Sequence, residues 1–83
     1  MPEIARFYGI VVKIFFGKEH NPPHFHAVYG EYNGYFDMNT LEMIEGDLPK
    51  KAQELIKEWA QKYQFELSKM WETKELKKLP GLE

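Results

Sequence analysis

The segment LPKKAQELIKEWAQKYQFELSKMWE, residues 48–72, decides the fold because it carries one wide apolar stripe. Its apolar residues recur at three- and four-residue steps, which is the period of an α-helix. The sequence therefore predicts one long amphipathic helix over 48–72, with Asp47 as its N-cap and Pro49 tolerated in the first turn. A helix with so wide a stripe needs a partner, and a small sheet is the economical one.

The segments that precede the helix are predicted to supply this sheet. The run RFYGIVVKIFF over 6–16 is dense in β-branched and aromatic residues, and Gly9 inside it indicates a bulge. The dipeptide Asn33-Gly34 is typical of a type I′ hairpin turn. Three further strands are predicted, over residues 24–30, 34–38 and 41–44.

The predicted fold class is α+β, with an antiparallel sheet of three to four strands and one C-terminal helix packed on one face. Residues 1–79 are expected to form a single domain, and residues 80–83 a tail. With no cysteine among 83 residues, disulfides and thiolate zinc sites are excluded, so an efficient core, a bound metal or self-association must stabilise the fold. A homo-oligomer is therefore one of the expected states.

Charge and hydropathy argue against non-specific nucleic-acid binding and against a membrane span, while a specific RNA site stays open. The formal net charge is −2 and no basic patch is evident, so non-specific nucleic-acid binding is not expected. No stretch reaches the roughly 20 apolar residues that a membrane span needs. The first residues lack the pattern of a signal peptide, so a cytoplasmic location is expected.

All three histidines lie in the segment HNPPHFH, residues 20–26, which is the candidate functional segment. His24 and His26 are two residues apart on a predicted strand, so both are expected to point to the same face. Such a pair can supply two ligands to a divalent transition metal, and His20 could supply a third from the loop that the prolines stiffen.

Asp37 is a conditional fourth metal ligand. If Asn33-Gly34 forms a two-residue turn, then Gly30 pairs with Asp37, and Asp37 shares the face of the two strand histidines. A shift of the register by one residue would move this carboxylate to the other face.

Three other roles for the histidine segment stay open. The histidines could hydrogen-bond or pack under the Pro-Pro loop, or His24 or His26 could act as a general acid or base without a metal. The segment could instead contact a partner or ligand, with His20, Asn21, His24 and His26 as the binding residues. A group of tyrosines lies on the predicted sheet and turn, namely Tyr8, Tyr29, Tyr32 and Tyr35. These residues could form a recognition surface, or they could pack in the core.

The chain resembles a small bacterial family known as domain of unknown function 4160. The resemblance rests on the opening MPEIARFYGI, the run HNPPHFH at 20–26, and EGDLP at 45–49 before a helix that contains Trp59 and Trp71. It implies a stand-alone bacterial protein that is often encoded beside another small protein, in an arrangement similar to toxin–antitoxin pairs. The family implies no activity, so enzyme status stays open.

The leading hypothesis is a component of a two-protein, toxin–antitoxin-like module that acts by protein–protein contact. Its working surface would be the exposed sheet face or the segment over 20–26. The first alternative is a His-dependent or metal-assisted hydrolase or ribonuclease. The second is a regulatory domain that senses a metal or a small ligand.

Overall fold

The computed structural model describes residues 3–14 and 23–82, and within them the chain forms an α+β fold. Every neighbouring pair of strands is antiparallel, and the strands follow their sequence order across one sheet. The described strands are β1 (Glu3–Phe7), β2 (Ile10–Lys13), β3 (His24–Tyr29), β4 (Tyr32–Asp37) and β5 (Met43–Gly46). The predicted three to four strands therefore become five.

The strand predicted over 6–16 is a hairpin in its described part, residues 6–14, and residues 15 and 16 lie outside the described residues. Tyr8 and Gly9 form its turn, with φ values of 48° and 79°, and Phe7 pairs with Ile10 across it. Positive φ at both central residues is the mark of a type I′ turn, which favours Asn or Gly at each position. Tyr8 is an unusual first residue for such a turn, so the apolar run showed no turn signal there.

The second hairpin also turns at a different place from the one predicted. Gly30, with φ +61°, and Glu31 form its turn, whereas Asn33 and Gly34 lie inside β4. Gly34 is needed where β4 meets β5, because a Cβ there would lie 3.0 Å from the Glu45 carbonyl oxygen. The glycine thus permits close strand packing and does not form a turn.

The helix predicted over 48–72 is divided in two, α1 (Lys50–Lys62) and α2 (Gln64–Thr73). Tyr63 separates them with non-helical angles of φ −117° and ψ 22°. The Gln64 side chain donates hydrogen bonds to the carbonyls of Met38 and Asn39, at 2.8 and 3.0 Å. These bonds fix the start of α2 to the loop after β4. The apolar stripe in the sequence continues through the break at Tyr63, so the sequence pattern does not reveal the break.

Asp47 does not cap the helix as predicted. The residue at the N-cap position is Pro49, which makes no side-chain capping bond. The Asp47 carboxylate instead accepts a hydrogen bond from the Asn33 backbone N–H at 3.0 Å, and the Asn33 carbonyl accepts one from the Asp47 N–H. Asp47 therefore holds the end of β5 against β4.

The core lies between one face of the sheet and the two helices. Trp59 is fully buried at its centre, with its ring 5.6 Å from that of Phe7 and 6.1 Å from that of Phe25. Phe25 stacks in turn on Phe36 of the neighbouring strand at 5.3 Å. Aromatic contacts of this kind add to the area that each ring buries, which suits a chain with a thin core.

Residues 79–82 pack back on the first strand. The Leu79 N–H donates to the Ile4 carbonyl at 2.7 Å, and the Trp59 indole N–H donates to the Pro80 carbonyl at 2.8 Å. Leu79 is only 8% exposed, and Leu82 packs against the core. We call residues 79–82 the C-terminal strap. Among the described residues, no helix is long and apolar enough to span a membrane.

Candidate functional site

One row of side chains crosses all five strands on the sheet face opposite the core. Directly paired residues of antiparallel strands point to the same face, so the strand register defines the row. Its members, each paired with the next, are Glu3, Lys13, His26, Tyr35 and Glu45. We call this surface the polar face.

Among the described residues, four aromatic rings meet on the polar face and form what we call the histidine cluster. The ring of His24 lies 5.3 Å from each of the rings of His26, Tyr35 and Trp71. His26 and Tyr35 are 5.5 Å apart. All four side chains are partly exposed, and the Lys74 ammonium lies 4.5 Å from the centre of the Trp71 ring. The cluster therefore combines residues of β3, β4 and α2.

Of the residues predicted for this site, the structure describes three, and all three lie on one face of the sheet. His24 and His26 share one face of β3, and Asp37 is paired directly with His24. The predicted pairing of Gly30 with Asp37 is wrong, but the true register places Asp37 on the same face because both registers have the same parity. The other predicted members, His20 and Asn21, lie outside the described residues.

Asp37 already has a structural role. One of its carboxylate oxygens, Oδ1, accepts hydrogen bonds from the backbone N–H groups of Asn39 and Thr40, at 2.7 and 3.1 Å. This arrangement is an Asx turn, which stabilises the chain reversal after β4. A metal bound through Oδ1 would therefore compete with these bonds.

The described residues hold no group of three or more His, Asp or Glu side chains arranged to bind a metal ion. His24 and His26 can supply two imidazole ligands from one strand face. Structural zinc sites use four protein ligands and catalytic ones three, so a metal here would need at least one ligand in addition to these two.

Burial lowers the pKa of His26, and the neighbouring His24 lowers it further. Both effects disfavour the charged imidazolium form. The neutral form of the ring, which has one N–H group and one unprotonated nitrogen, is therefore favoured in the folded protein.

A shallow depression of about 530 Å³ adjoins the cluster at the β5 side of the polar face. Its lining residues are His26, Asn33, Gly34, Tyr35, Glu45, Gly46 and Asp47. The Tyr35 hydroxyl donates to the Glu45 carboxylate at 3.2 Å and so orients both side chains. The depression extends the surface of the cluster with polar groups.

The sequence interpretation missed the contribution of Trp71. Trp71 lies on the apolar stripe and packs against the core from a partly buried position, but its ring also lies 5.3 Å from that of His24, which the sequence did not predict. The position of Tyr35 on this face was predictable, because Tyr35 and Asp37 are two residues apart on one strand and so point to the same face. A recognition surface was one of the two alternatives for the tyrosines.

These features define a small α+β protein whose outer sheet face carries aromatic and polar side chains. Residues 9–72 match the family model described as Domain of unknown function (DUF4160), and the match covers more than half of the chain. The chain therefore belongs to this family. Comparisons with curated proteins and with solved structures give no match.

Proposed function

We propose that the protein is a binding module that contacts a second small protein through its polar face. The observation that carries this proposal is the histidine cluster, in which rings from β3, β4 and α2 converge while each stays partly exposed. Aromatic residues supply much of the binding energy of protein interfaces, because they bury a large area with few rotatable bonds.

The row of charges around the cluster supports a partner that binds in one orientation. Glu3 and Lys13 lie on one side of His26, and Tyr35 and Glu45 lie on the other. Charges placed along such a row set the register of a partner more than they add affinity. The finer proposal is that the two proteins form a toxin–antitoxin-like module and are encoded side by side.

The test is to express the chain together with the small protein encoded beside its gene, and to measure binding by calorimetry. Tyr35→Ala and Trp71→Ala are each expected to weaken binding roughly tenfold or more, as truncation of an interface anchor does. Glu54→Ala, on the exposed side of α1, is the matched control and should leave the affinity unchanged. Circular dichroism spectra must show that each variant is folded.

A neighbouring protein that does not bind the wild-type chain, or that binds all three variants equally well, would contradict the proposal. The first result would exclude this partner. The second would place the binding surface elsewhere on the molecule.

Two observations favour a second candidate function, a metal-dependent hydrolase or sensor. The rings of His24 and His26 are 5.3 Å apart on one strand, and His24 is paired with Asp37 on the neighbouring strand. Mass spectrometry of protein purified without chelator measures its metal content. Near-stoichiometric zinc, nickel or iron that is lost in the double variant His24→Ala/His26→Ala would support this candidate. An enzyme of toxin type would also arrest the growth of cells that express it, and these substitutions would abolish the arrest.

A further inference from the structure

A second exposed surface lies at the turn end of the β1–β2 hairpin, where α1 begins. Two adjoining depressions of about 260 and 420 Å³ share Tyr8, Tyr29, Lys51 and Leu55 as lining residues. Tyr8 is 53% exposed and Tyr29 39% exposed, and Leu55 of α1 is partly exposed. None of these residues belongs to the polar face. We call this surface the tyrosine groove.

Two opposite charges border the tyrosine groove on the same helix. Lys51 and Glu58 both line it, both are exposed, and Leu55 lies between them in sequence. They are seven residues apart, which is two helical turns and about 10 Å along α1. Within the described residues neither side chain forms an ion pair.

This spacing is self-complementary. When two copies of α1 pack antiparallel about a two-fold axis midway between Lys51 and Glu58, each lysine faces the glutamate of the other copy. Both ion pairs then form together, and Leu55 lies at the centre of the contact. A charge pattern that matches itself in this way favours a second copy of the chain over an unrelated partner.

We infer that the tyrosine groove is covered by a second copy of this chain, in a two-fold dimer in which Lys51 of each protomer pairs with the partner's Glu58. The tyrosines then supply the apolar part of the contact, with the charges at its edge. This is the usual distribution at interfaces, which have an aromatic-rich centre and a polar rim.

The conformation of Tyr8 supports the dimer independently. Tyr8 occupies a left-handed position, φ +48°, where a bulky side chain costs about 1–2 kcal/mol relative to glycine. Asn or Gly would relieve this strain and give a better turn. A tyrosine in this position, with half of its side-chain surface exposed, fits a contact residue better than a turn residue.

The oligomeric state of four purified proteins tests the inference by sedimentation equilibrium. These are the wild-type chain and three charge reversals, Lys51→Glu, Glu58→Lys and, as a matched control on α2, Lys69→Glu. The wild-type chain and the control should dimerise with the same affinity. Each of the first two reversals should weaken dimerisation by roughly tenfold or more, because two attractive pairs become repulsive.

Mixing the two groove variants provides the decisive measurement. One variant has glutamate at both positions and the other has lysine at both, so every pair across a mixed interface is attractive again. The mixture should therefore form a one-to-one dimer at concentrations where each variant alone is monomeric. A shift of the whole population to the mixed dimer is visible by native mass spectrometry.

Three results would overturn the inference. The wild-type chain could stay monomeric up to about 1 mM, which would mean a dissociation constant larger than that of specific interfaces of ordinary size. The two groove variants could dimerise as well as the control. The mixture could fail to restore the dimer, which would show that charge pairing between these positions is absent. None of these results bears on the polar face, whose partner is tested separately.

Discussion

At the scale of single residues, Gly46 shows how the last two strands constrain the sequence. Its φ is +145°, and a Cβ there would overlap the Gly34 Cα and lie 2.5 Å from the Asn33 carbonyl oxygen. Both obstacles are backbone atoms that hold β4 and β5 together, so neither can move without breaking the strand pairing. The close approach of β4 and β5 therefore leaves no room for a side chain at Gly34 or Gly46.

Gly46→Ala is expected to lower the free energy of unfolding by about 2–4 kcal/mol, because steric overlap adds to backbone strain. Urea denaturation followed by tryptophan fluorescence measures the change. Gly30→Ala is the matched control, since Gly30 also has positive φ but no atom lies within 4 Å of the position that a Cβ would take. The control should cost about 1 kcal/mol, from strain alone. Equal losses would show that the close approach of the strands does not matter.

The lowered pKa of His26 predicts a dependence of stability on pH. Because the folded state disfavours the charged ring, the unfolded state binds more protons below the ordinary pKa of 6.5. The free energy of unfolding should therefore be highest above pH 6.5 and fall as the pH drops through the lower pKa of the folded state.

Urea denaturation at pH 7.5 and pH 5 checks this dependence in the wild-type chain and in His26→Gln. The variant should lose less stability between the two pH values, since it keeps a polar side chain but has no group that titrates there. The same loss in both proteins would mean that other groups cause the pH dependence.

At the scale of elements, the C-terminal strap acts as a further support for β1 and Trp59. Leu79 bonds to the backbone of Ile4, and Pro80 accepts the indole N–H of Trp59. Without the strap, this indole donor exchanges its protein partner for water, and the net loss of such a hydrogen bond costs about 0.5–1.5 kcal/mol. The strap thus satisfies the polar group of the residue at the centre of the core.

Removal of residues 79–83 is expected to destabilise the fold by about 2–5 kcal/mol, from the lost indole bond and the exposed site of Leu79. A double-mutant cycle with Trp59→Phe separates the bond from the packing. Trp59→Phe removes the same ring volume in both backgrounds, but breaks the indole bond only in the full chain. Its cost should be smaller in the shortened chain, and equal costs would show that the bond contributes nothing.

At the scale of the whole molecule, apolar residues that recur with the period of a strand or of a helix predicted the fold class. These patterns did not reveal where the strands and helices are interrupted. The α+β class and the pairing of strand and helix faces follow from which residues are apolar. The turn at Tyr8-Gly9 and the break at Tyr63 lie within continuous apolar patterns, so only tertiary contacts reveal them. The extra strand and the second helix were missed for this reason.

The candidate site was predictable to the extent that it depends on one strand. The spacing of His24 and His26 is enough to place them on one face, and parity placed Asp37 there despite the wrong turn. The contact of Trp71 with His24 joins α2 to β3, two elements that are far apart in the sequence, so no local pattern encodes it. The cluster as a whole therefore needed the three-dimensional structure.

The C-terminal strap also has a consequence for the order of events during synthesis. The ribosome makes β1 before the helices, yet the backbone of Ile4 and the indole of Trp59 acquire their strap partners only when residues 79 and 80 emerge. The sheet and helices can associate earlier, but the core cannot be completed while these residues remain in the exit tunnel. The nascent chain is therefore expected to stay sensitive to proteases until the strap has left the tunnel, and to reach full stability only afterwards.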